Sequence, residues 1–476
     1  MSVRILTGDC IDEMRKLDAA SVDAIVTDPP YGLEFMGKAW DSPWKDGIGT
    51  GEHNAGFSKG APAVAGVRGE IRALPSFMGS TNPTCRNCGG TRNGNDRESR
   101  KACRCANPSF PNTTLPRMVA FQQWCDSWAI ECLRVLKPGG HLLAFGGTRT
   151  YHRLACGLED AGFEIRDSIH WVYGSGFPKS LNLPNGLGTA LKPAHEPIVL
   201  ARKALVGTVA ANVAAHGTGA LNVDASRVGT SKDVPSSPRR ASQGEAYGDL
   251  SNASGDTSGF DAGVGRWPPN LLLSHTPECV EDGACAEDCA VAEMDRQSGS
   301  SFSSGGRIGN KDGGSIYGGG KGLAGEFVSG DPGFGDSGGA SRFFPVFRYE
   351  AKPSRAEREA GLTGNARSVS SMSGRREADR MDEFKIDNDV TARFVKRARN
   401  THPTVKPIAL MAWLVQLVAR EGQTVLDPFL GSGTTAIACA RVNVSCIGIE
   451  REAEYVALAE KRIRGDAPLF ASVRHS

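Results

Sequence analysis

The stretch TVLDPFLGSGTT, residues 424–435, decides the fold that we expect for this chain. A short apolar run ends at Asp427, a loop with two glycines follows, and helix-favouring residues come next. Gly431 and Gly433 let the backbone turn tightly and approach a ligand closely. Glu450 ends the next apolar run, where a carboxylate can accept the ribose hydroxyls of a nucleoside. The stretch therefore predicts a strand, a nucleoside-binding turn and a helix, with a purely structural turn as the alternative.

Strand and helix signals alternate on both sides of this stretch. We expect strands at 3–6, 22–27, 141–145, 424–426 and 446–449, and an extended segment at 165–173. Helices are expected at 11–17, 118–136, 149–161, 408–419, 434–441 and 452–464, with a turn at 137–140 that ends the second of them. Such alternation is typical of a doubly wound, Rossmann-like α/β fold with a mostly parallel sheet.

Two long segments interrupt this alternation. The chain has 476 residues and 59 glycines, which is enough for one large core together with loop-rich insertions. We expect core segments at 1–45, 116–221 and 401–466, insertions at 46–115 and 222–400, and a tail at 467–476. Residues 298–341 are rich in Gly and Ser, which predicts a flexible loop.

The charges nearly balance, with 55 basic and 53 acidic side chains, so any nucleic-acid surface must be a local patch. Basic residues exceed acidic ones between Arg342 and Lys406, which favours phosphate contacts there, with a solvated linker as the alternative. The apolar run 408–419 is too short to span a bilayer, and the first residues lack the apolar core of a signal peptide. We expect a cytoplasmic protein whose thirteen cysteines are thiols or metal ligands.

A second motif, Asp28-Pro29-Pro30-Tyr31, follows a buried strand and should project at the carboxyl edge of the sheet. Asp28 and the carbonyl of Pro29 can accept the hydrogens of an exocyclic amine on a base, and Tyr31 offers a flat face for stacking. A plain proline turn is the alternative. The residues His195 and Glu196 begin another extended run, where we expect structural hydrogen bonds.

The glycine loop suits one cofactor better than another. A dinucleotide needs a helix N-terminus that receives its pyrophosphate. S-adenosylmethionine has no phosphate but carries a sulfonium and an ammonium group, so an acid such as Asp427 beside the loop suits it better. The residues 427–435 closely resemble the cofactor motif of amino-group DNA methyltransferases.

Because the Asp-Pro-Pro-Tyr motif precedes the cofactor motif, the chain resembles the β class of N6-adenine/N4-cytosine DNA methyltransferases over residues 1–45, 110–200 and 400–465. The stretches 35–41, 174–179 and 192–197 further resemble enzymes of phages and mobile elements. The resemblance implies catalysis by Asp28, Pro29, Pro30 and Tyr31. It implies cofactor binding by Asp9, Cys10, His402, Thr404, Lys406, Asp427, Phe429, Gly431, Ser432, Gly433, Thr434 and Glu450.

The resemblance also implies a substrate and partners. These are double-stranded DNA, with 222–400 in the place of the target-recognition region, while a homodimer and a cognate restriction enzyme are left open. Relatives with Asp at the position of Asp28 act more often on adenine, so N6-adenine is expected and N4-cytosine is the alternative. A nucleotide-dependent oxidoreductase and a catalytically inactive, zinc-bearing DNA-binding protein are more remote alternatives.

Two groups of cysteines suggest bound metal. Two close pairs separated by a loop can form a tetrahedral zinc set, with surface thiols as the alternative: Cys85, Cys88, Cys103 and Cys105. A second group has looser spacing, so both zinc binding and simple packing stay open for it: His275, Cys279, Cys285 and Cys289.

Overall fold

A ten-stranded sheet with helices on both faces forms the centre of the molecule, as seen in a computed structural model. The structure describes residues 1–32, 85, 87–88, 102–107, 115–174, 176, 183–229, 265–276, 279, 285–287, 289–302, 336–347, 367–370, 395–398, 405–466 and 473–475.

The first half of the chain supplies five strands and four helices among the described residues. They are β1 (Val3–Thr7), α1 (Cys10–Arg15), β2 (Val22–Thr27), α2 (Leu115–Val135), β3 (Leu136–Phe145), α3 (Tyr151–Asp160), β4 (Glu164–Val172), β5 (His195–Arg202) and α4 (Val209–His216).

The second half adds short strands and then returns to regular alternation. Its first elements are β6 (Leu271–Ser274), α5 (Ala290–Ser298), β7 (Ser301–Phe302), β8 (Ser337–Gly338), β9 (Val346–Phe347), β10 (Arg367–Ser370) and β11 (Val395–Ala398). The last are α6 (Ile408–Val418), β12 (Thr424–Asp427), α7 (Thr434–Arg441), β13 (Ser445–Glu450), α8 (Ala453–Asp466) and β14 (Val473–His475).

The strand order in the main sheet is β14-β1-β13-β12-β2-β3-β5-β4-β6-β9. All neighbours from β14 to β3 run parallel, whereas β5 is antiparallel to both β3 and β4. Strand β2 is buried along its whole length, as expected for a central parallel strand covered on both faces. The mostly parallel α/β fold expected from the sequence is confirmed.

Alternate residues of the central strands enter two separate cores. In β12, Val425 packs in a core that is completed by helices α6, α7 and α8, whereas Leu426 faces α1, α2 and α3. This alternation is what a period of two residues imposes on a strand with both faces buried. The carboxyl edge of the sheet is left as the place where loops from several strands can meet.

The sequence prediction was wrong at the junction of α2 and β3. The turn expected at 137–140 is absent, because α2 ends at Val135 and β3 begins directly at Leu136. The glycine signal is real, but it produces an irregularity inside the strand. The register with β2 shifts between Val22, which pairs with Leu136, and Ala24, which pairs with His141, and Gly139 has φ of 74°.

Strands β6 and β9 lie within the stretch 222–400, for which the sequence predicts a loop-rich insertion and in which no strand was expected. Both join the main sheet, β6 beside β4 and β9 beside β6. The expected domain boundaries stay a prediction. His402, Thr404 and most of the Gly/Ser-rich stretch 298–341 fall outside the described residues. Within the described part of the chain, no helix combines the length and apolar character that crossing a bilayer requires.

Candidate active site

The carboxyl edge of the central strands gathers acidic residues from distant parts of the chain. Asp28 follows β2, Asp427 ends β12 and Glu450 ends β13. Since β5 runs antiparallel to β3, its amino-terminal residue pair lies at this same edge, which brings Glu196 close to Tyr31. Topology therefore assembles a site that no local stretch of sequence contains.

The two oxygens of Asp28 have different surroundings. Its Oδ2 accepts a hydrogen bond of 2.7 Å from the ammonium nitrogen of Lys406. Its Oδ1 is buried, and no group among the described residues donates a hydrogen bond to it. A buried acceptor without a donor is energetically costly, which marks Oδ1 as a place where a ligand can donate.

Tyr31 is held at both ends. Its hydroxyl donates to Glu196 Oε2 over 2.8 Å, and the hydroxyl of Thr150 donates to its carbonyl oxygen over 2.6 Å. Burial, together with the negative charges of Asp28 and Glu196, raises the pKa of the Tyr31 phenol well above its usual value. The phenol therefore stays protonated and can donate.

Lys406, for which cofactor binding stays a prediction, has its side chain against the Asp28–Tyr31 segment. The Nζ atom lies 2.7 Å from Asp28 Oδ2, 3.1 Å from Glu196 Oε2 and 3.0 Å from the hydroxyl oxygen of Tyr31. Burial opposes its charge, but the two carboxylates outweigh burial and raise the pKa of Lys406. Lys406 is therefore an ammonium that bridges the two acids.

Glu196 is a member of the site that the sequence did not reveal. It was expected to make a structural hydrogen bond, and its contacts with Tyr31 and Lys406 show a direct link to the catalytic loop. The available signal was weak, since only the pairing of β5 against β3 brings it there.

The glycine loop has the backbone that the sequence predicted. Gly431 and Gly433 have φ of 54° and 84°, in the left-handed region that favours glycine. A Cβ atom at Gly433 would lie 3.0 Å from the Cβ of Ala459, so helix α8 packs directly against the turn. The amide of Gly431 donates to Glu450 Oε2 over 2.9 Å, which links the loop to the acid at the end of β13.

Asp427 connects the glycine loop to the catalytic strand. Its Oδ1 accepts a 2.7 Å hydrogen bond from the hydroxyl of Thr27 and a 3.0 Å bond from the amide of Phe429. Burial outweighs these hydrogen bonds and raises the pKa of Asp427 to about 6. Burial likewise raises the pKa of Glu450. Both acids would be stabilised in their charged forms by a cationic ligand.

Arg462 is a second residue that the sequence did not reveal. Its fully buried guanidinium donates to the carbonyl oxygen and hydroxyl of Ser432 over 2.6 and 2.9 Å, and to the hydroxyl of Thr434 over 3.2 Å. Ser432 and Thr434, which are expected to bind cofactor, are thus also held in place by Arg462. The signal was a charged residue among the apolar positions of α8, three residues after the buried Ala459.

Three more of the expected cofactor residues are described, namely Asp9, Cys10 and Phe429. Asp9 caps α1 by accepting a 2.9 Å bond from the amide of Ile11, and the Cys10 thiol is buried, which raises its pKa. The ring of Phe429 packs against Trp124 and Trp128, at 5.6 and 5.4 Å between centroids. These ring contacts hold the glycine loop against helix α2.

Both groups of suspected metal ligands converge. In each group, one potential ligand atom per residue lies within 4.8 Å of those of the others. The first group is Cys85, Cys88, Cys103 and Cys105, and the second is His275, Cys279, Cys285 and Cys289.

The site thus has two adjoining halves. One is a glycine turn flanked by the buried Asp427 and the half-buried Glu450, both with raised pKa values. The other is Asp28, one oxygen of which has no donor among the described residues, beside an ammonium and a phenol. The hydrogen bond from Thr27 to Asp427 joins the halves, although these two residues are 400 positions apart in the chain.

The neighbouring strands β12 and β2 thus end in the glycine turn and in the Asp28–Tyr31 segment, at one edge of a mostly parallel sheet. The family model of DNA methylases of the N6/N4 type matches residues 22–461. The chain belongs to this N6/N4 DNA methylase family.

Characterised relatives match over shorter segments. The type II methyltransferase M.HpaI of Haemophilus parainfluenzae is 39% identical over 80 residues, which is 17% of this chain and 26% of that enzyme. M.HindIII of Haemophilus influenzae is 26% identical over 167 residues, 35% of this chain and 42% of that enzyme. The matches thus span less than half the length of these curated relatives.

Solved structures of DNA methyltransferases show a distant likeness. The complex of M1.HpyAVI with S-adenosylmethionine covers 97% of this chain and 99% of that one, at 14% identity and a TM-score of 0.32. The cytosine-N4-specific PvuII methyltransferase covers 97% of this chain and 86% of that one, at 12% identity and a TM-score of 0.40. At TM-scores of this size, the strand order of the main sheet, and not the likeness to these structures, defines the fold.

Proposed function

We propose that this protein transfers a methyl group from S-adenosylmethionine to the exocyclic N6 amine of adenine in double-stranded DNA. The observation that carries the proposal is the buried Oδ1 atom of Asp28, which lacks a hydrogen-bond donor among the described residues. An amine of a base that enters the site can donate to this oxygen. The plain proline turn considered for this motif gives no reason to bury an unpaired carboxylate oxygen.

The donors and acceptors of the glycine turn fit the proposed cofactor. Glu450, at the end of β13, is placed to accept ribose hydroxyls, while Asp427 offers a buried negative charge to a cationic ligand. S-adenosylmethionine supplies an electrophilic methyl group on a sulfonium when it is bound. No phosphate is needed, and the loop bears two acids, which would repel a pyrophosphate.

The residues of the catalytic loop then have separate tasks. Asp28 accepts a hydrogen bond from the amine, which polarises the N–H bond towards nitrogen and makes the nitrogen lone pair more available. The ammonium of Lys406 donates a 2.7 Å hydrogen bond to Asp28 Oδ2, which fixes the direction of the carboxylate and leaves Oδ1 for the amine. Tyr31 provides an aromatic face on which a base turned out of the duplex can stack.

The proposed methyl transfer needs no covalent enzyme intermediate. The amine lone pair forms the new bond to the methyl carbon, and the pair of the broken carbon–sulfur bond stays on sulfur. The nitrogen then loses one proton, for which Asp28 or water is the acceptor. Cysteine has no part in this sequence, which agrees with the burial that raises the pKa of Cys10 and disfavours its thiolate.

The resemblance favours adenine over cytosine, because relatives with Asp in the position of Asp28 act more often on adenine. The carboxylate accepts a stronger hydrogen bond than a hydroxyl does, but it could serve the amine of either base. The family covers both bases, so the identity of the methylated base is the first quantity to measure.

The test is methylation of duplex DNA in vitro by the purified full chain, followed by mass spectrometry of the nucleosides. We expect N6-methyladenine with the wild type and none with Asp28→Asn, a change that keeps the shape and removes the charge. Calorimetry should show that Asp28→Asn binds S-adenosylmethionine within a few-fold of the wild type, because Asp28 is not part of the glycine turn.

The matched control is Asp12→Asn, at an exposed carboxylate paired only with Arg15 on the surface of α1, which should keep the wild-type rate. Turnover by Asp28→Asn at the wild-type rate would contradict the assigned chemistry. A product containing only N4-methylcytosine would refute the choice of base and leave the role of Asp28 intact.

A further inference from the structure

The four-cysteine cluster, formed by Cys85, Cys88, Cys103 and Cys105, has the dimensions of a tetrahedral metal site. The sulfur atoms of Cys88 and Cys103 are 3.5 Å apart, and those of Cys85 and Cys105 are 4.0 Å apart. Four thiolates around zinc, each at about 2.3 Å from the ion, lie roughly 3.8 Å from one another. The side-chain amide of Asn87 also donates to the carbonyl of Asn107 over 3.0 Å, which ties the two knuckles together.

The histidine–cysteine cluster, formed by His275, Cys279, Cys285 and Cys289, shows the same agreement. The Nδ1 atom of His275 lies 3.5 Å from the sulfur of Cys285 and 3.4 Å from that of Cys289. With metal bonds of about 2.0 Å to nitrogen and 2.3 Å to sulfur, a tetrahedral site places these atoms roughly 3.6 Å apart.

Cys279 in this cluster also has the environment of a thiolate ligand. The amide of Ala286 donates to its sulfur over 3.4 Å, and the hydroxyl of Thr276 lies 3.3 Å from it. Donors to a coordinating sulfur stabilise its negative charge and fix its direction.

Neither disulfides nor ordinary packing account for the clusters. None of these cysteines forms a disulfide bond, and an odd number of three in the second cluster cannot be fully paired in disulfides. Cys88 and Cys285 are exposed, so burial of a thiol gives no reason for them to converge with the others.

The histidine–cysteine cluster lies where the sheet needs support. It joins the end of β6 to the start of α5, and the apolar core between them holds three buried residues among those that the structure describes, Leu273, Cys289 and Val291. Strand β6 pairs with β4, and the indole of Trp171 in β4 donates to the hydroxyl of Ser274 over 2.8 Å. A small core of this kind is commonly held by a metal ion.

We propose that the chain holds two structural zinc ions, one in the four-cysteine cluster and one in the histidine–cysteine cluster, and that the second fastens β6 and α5 to the edge of the main sheet. The sequence predicts the first ion and leaves the second open. Zinc suits both sets because it prefers tetrahedral sites of thiolate and imidazole ligands. The sites do not depend on the proposed methyl transfer, and metal content can be measured without any assay of activity.

The experiment is elemental analysis of the full chain, purified without added metal and under reducing conditions. We expect two zinc ions per chain in the wild type, one in Cys88→Ala, one in Cys285→Ala and none in the double variant. Both changes are at exposed cysteines, which limits the cost to packing. Cys156→Ala is the matched control, since this exposed cysteine belongs to neither cluster, and it should keep two ions.

X-ray absorption at the zinc edge of the wild type tests the ligands even if a variant fails to fold. The two sites together predict seven sulfur ligands and one imidazole nitrogen. A wild type without zinc, or a Cys285→Ala variant that still holds two ions, would overturn the proposal. A single ion with sulfur ligands only would overturn the histidine–cysteine site.

Discussion

The buried charge of Asp427 destabilises the free protein, and we expect the same charge to help bind the cofactor. Burial raises its folded pKa to about 6, above the value of 3.8 for an unperturbed carboxyl. Protonation of Asp427 therefore stabilises the folded state relative to the unfolded state. This stabilisation is fully present below pH 4 and is lost as the pH rises through 6. At pH 8 the folded state holds a buried charge that the unfolded state exposes to water.

Replacing this charge should separate stability from binding. We expect Asp427→Asn to melt at a higher temperature than the wild type at pH 8, with the difference vanishing near pH 4, in thermal scans without cofactor. The variant should bind S-adenosylmethionine about tenfold to a hundredfold more weakly at pH 8, since a contact to a charged group contributes about 1.5–3 kcal/mol. Equal affinity by calorimetry would remove Asp427 from the cofactor site.

Glu196 gives a second prediction for a single residue. Glu196→Gln keeps the size of the side chain but removes one of the two negative charges beside Lys406. We expect kcat to fall about tenfold, with little change in cofactor affinity, because the ammonium and the phenol of Tyr31 lose a charged partner.

The matched control is Glu164→Gln on the neighbouring strand β4, where the carboxylate pairs with Arg202 and is 42% exposed. Its removal should leave kcat unchanged. If Glu196→Gln and Glu164→Gln behave alike, Glu196 does not position the catalytic loop.

The sequence predicts a site residue where the residue belongs to a local motif. It does not predict a site residue that reaches the site only through the pairing of distant strands. Asp28 and the glycine turn can be recognised in the sequence because each follows an apolar strand that ends in a distinctive loop. Glu196 reaches Tyr31 only because β5 is antiparallel, a choice that the sequence does not specify. Lys406 was placed with the cofactor by resemblance, and the structure puts it against Asp28.

At the scale of elements, α8 supports the glycine loop through one buried charge. Arg462→Ala should destabilise the fold by about 3 kcal/mol, because it removes three hydrogen bonds to Ser432 and Thr434 and leaves a cavity. Chemical denaturation measures this, and cofactor affinity should fall as well. Arg464→Ala, at an exposed position two residues further on the same helix, should stay within about 0.5 kcal/mol. Equal effects of the two changes would count against the proposed support.

The junction of α2 and β3 shows how element boundaries escape sequence reasoning. A Pro-Gly-Gly segment normally ends a regular element, which is why a turn is expected at this position. Here the strand continues on both sides of it, because pairing with β2 tolerates extra residues as a bulge. Tertiary pairing thus outweighs a strong local turn signal.

At the scale of the whole molecule, the balanced charge means that the proposed binding of DNA would need a local basic surface. Strand β11 pairs with β10 and carries Lys396 and Arg397 in the stretch with basic excess. Changing both to Glu should weaken binding to duplex DNA and lower the salt-dependence slope by about two, one unit for each phosphate that is no longer neutralised. Filter binding or anisotropy at several salt concentrations measures this. An unchanged slope would favour a solvated linker.

The sequence predicts the strands at the centre of the main sheet but not the short strands β6 and β9 at one end of it. Alternating strands and helices near both ends of the chain indicated the parallel sheet, because long apolar runs and glycine turns are strong signals. Strands β6 and β9 were not expected, since they are four and two residues long and have little periodicity to detect. They extend the sheet only because β4 already offers an edge to pair with.

The position of β12 and β13 in the sheet has a consequence for synthesis. These two strands come from the last part of the chain but lie between β1 and β2, which come from its beginning. A ribosome therefore exposes β1 and β2 long before their shared neighbours exist, and the centre of the sheet closes only once β12 and β13 have been made. A product that terminates before β12 would lack the middle of its sheet and should not fold.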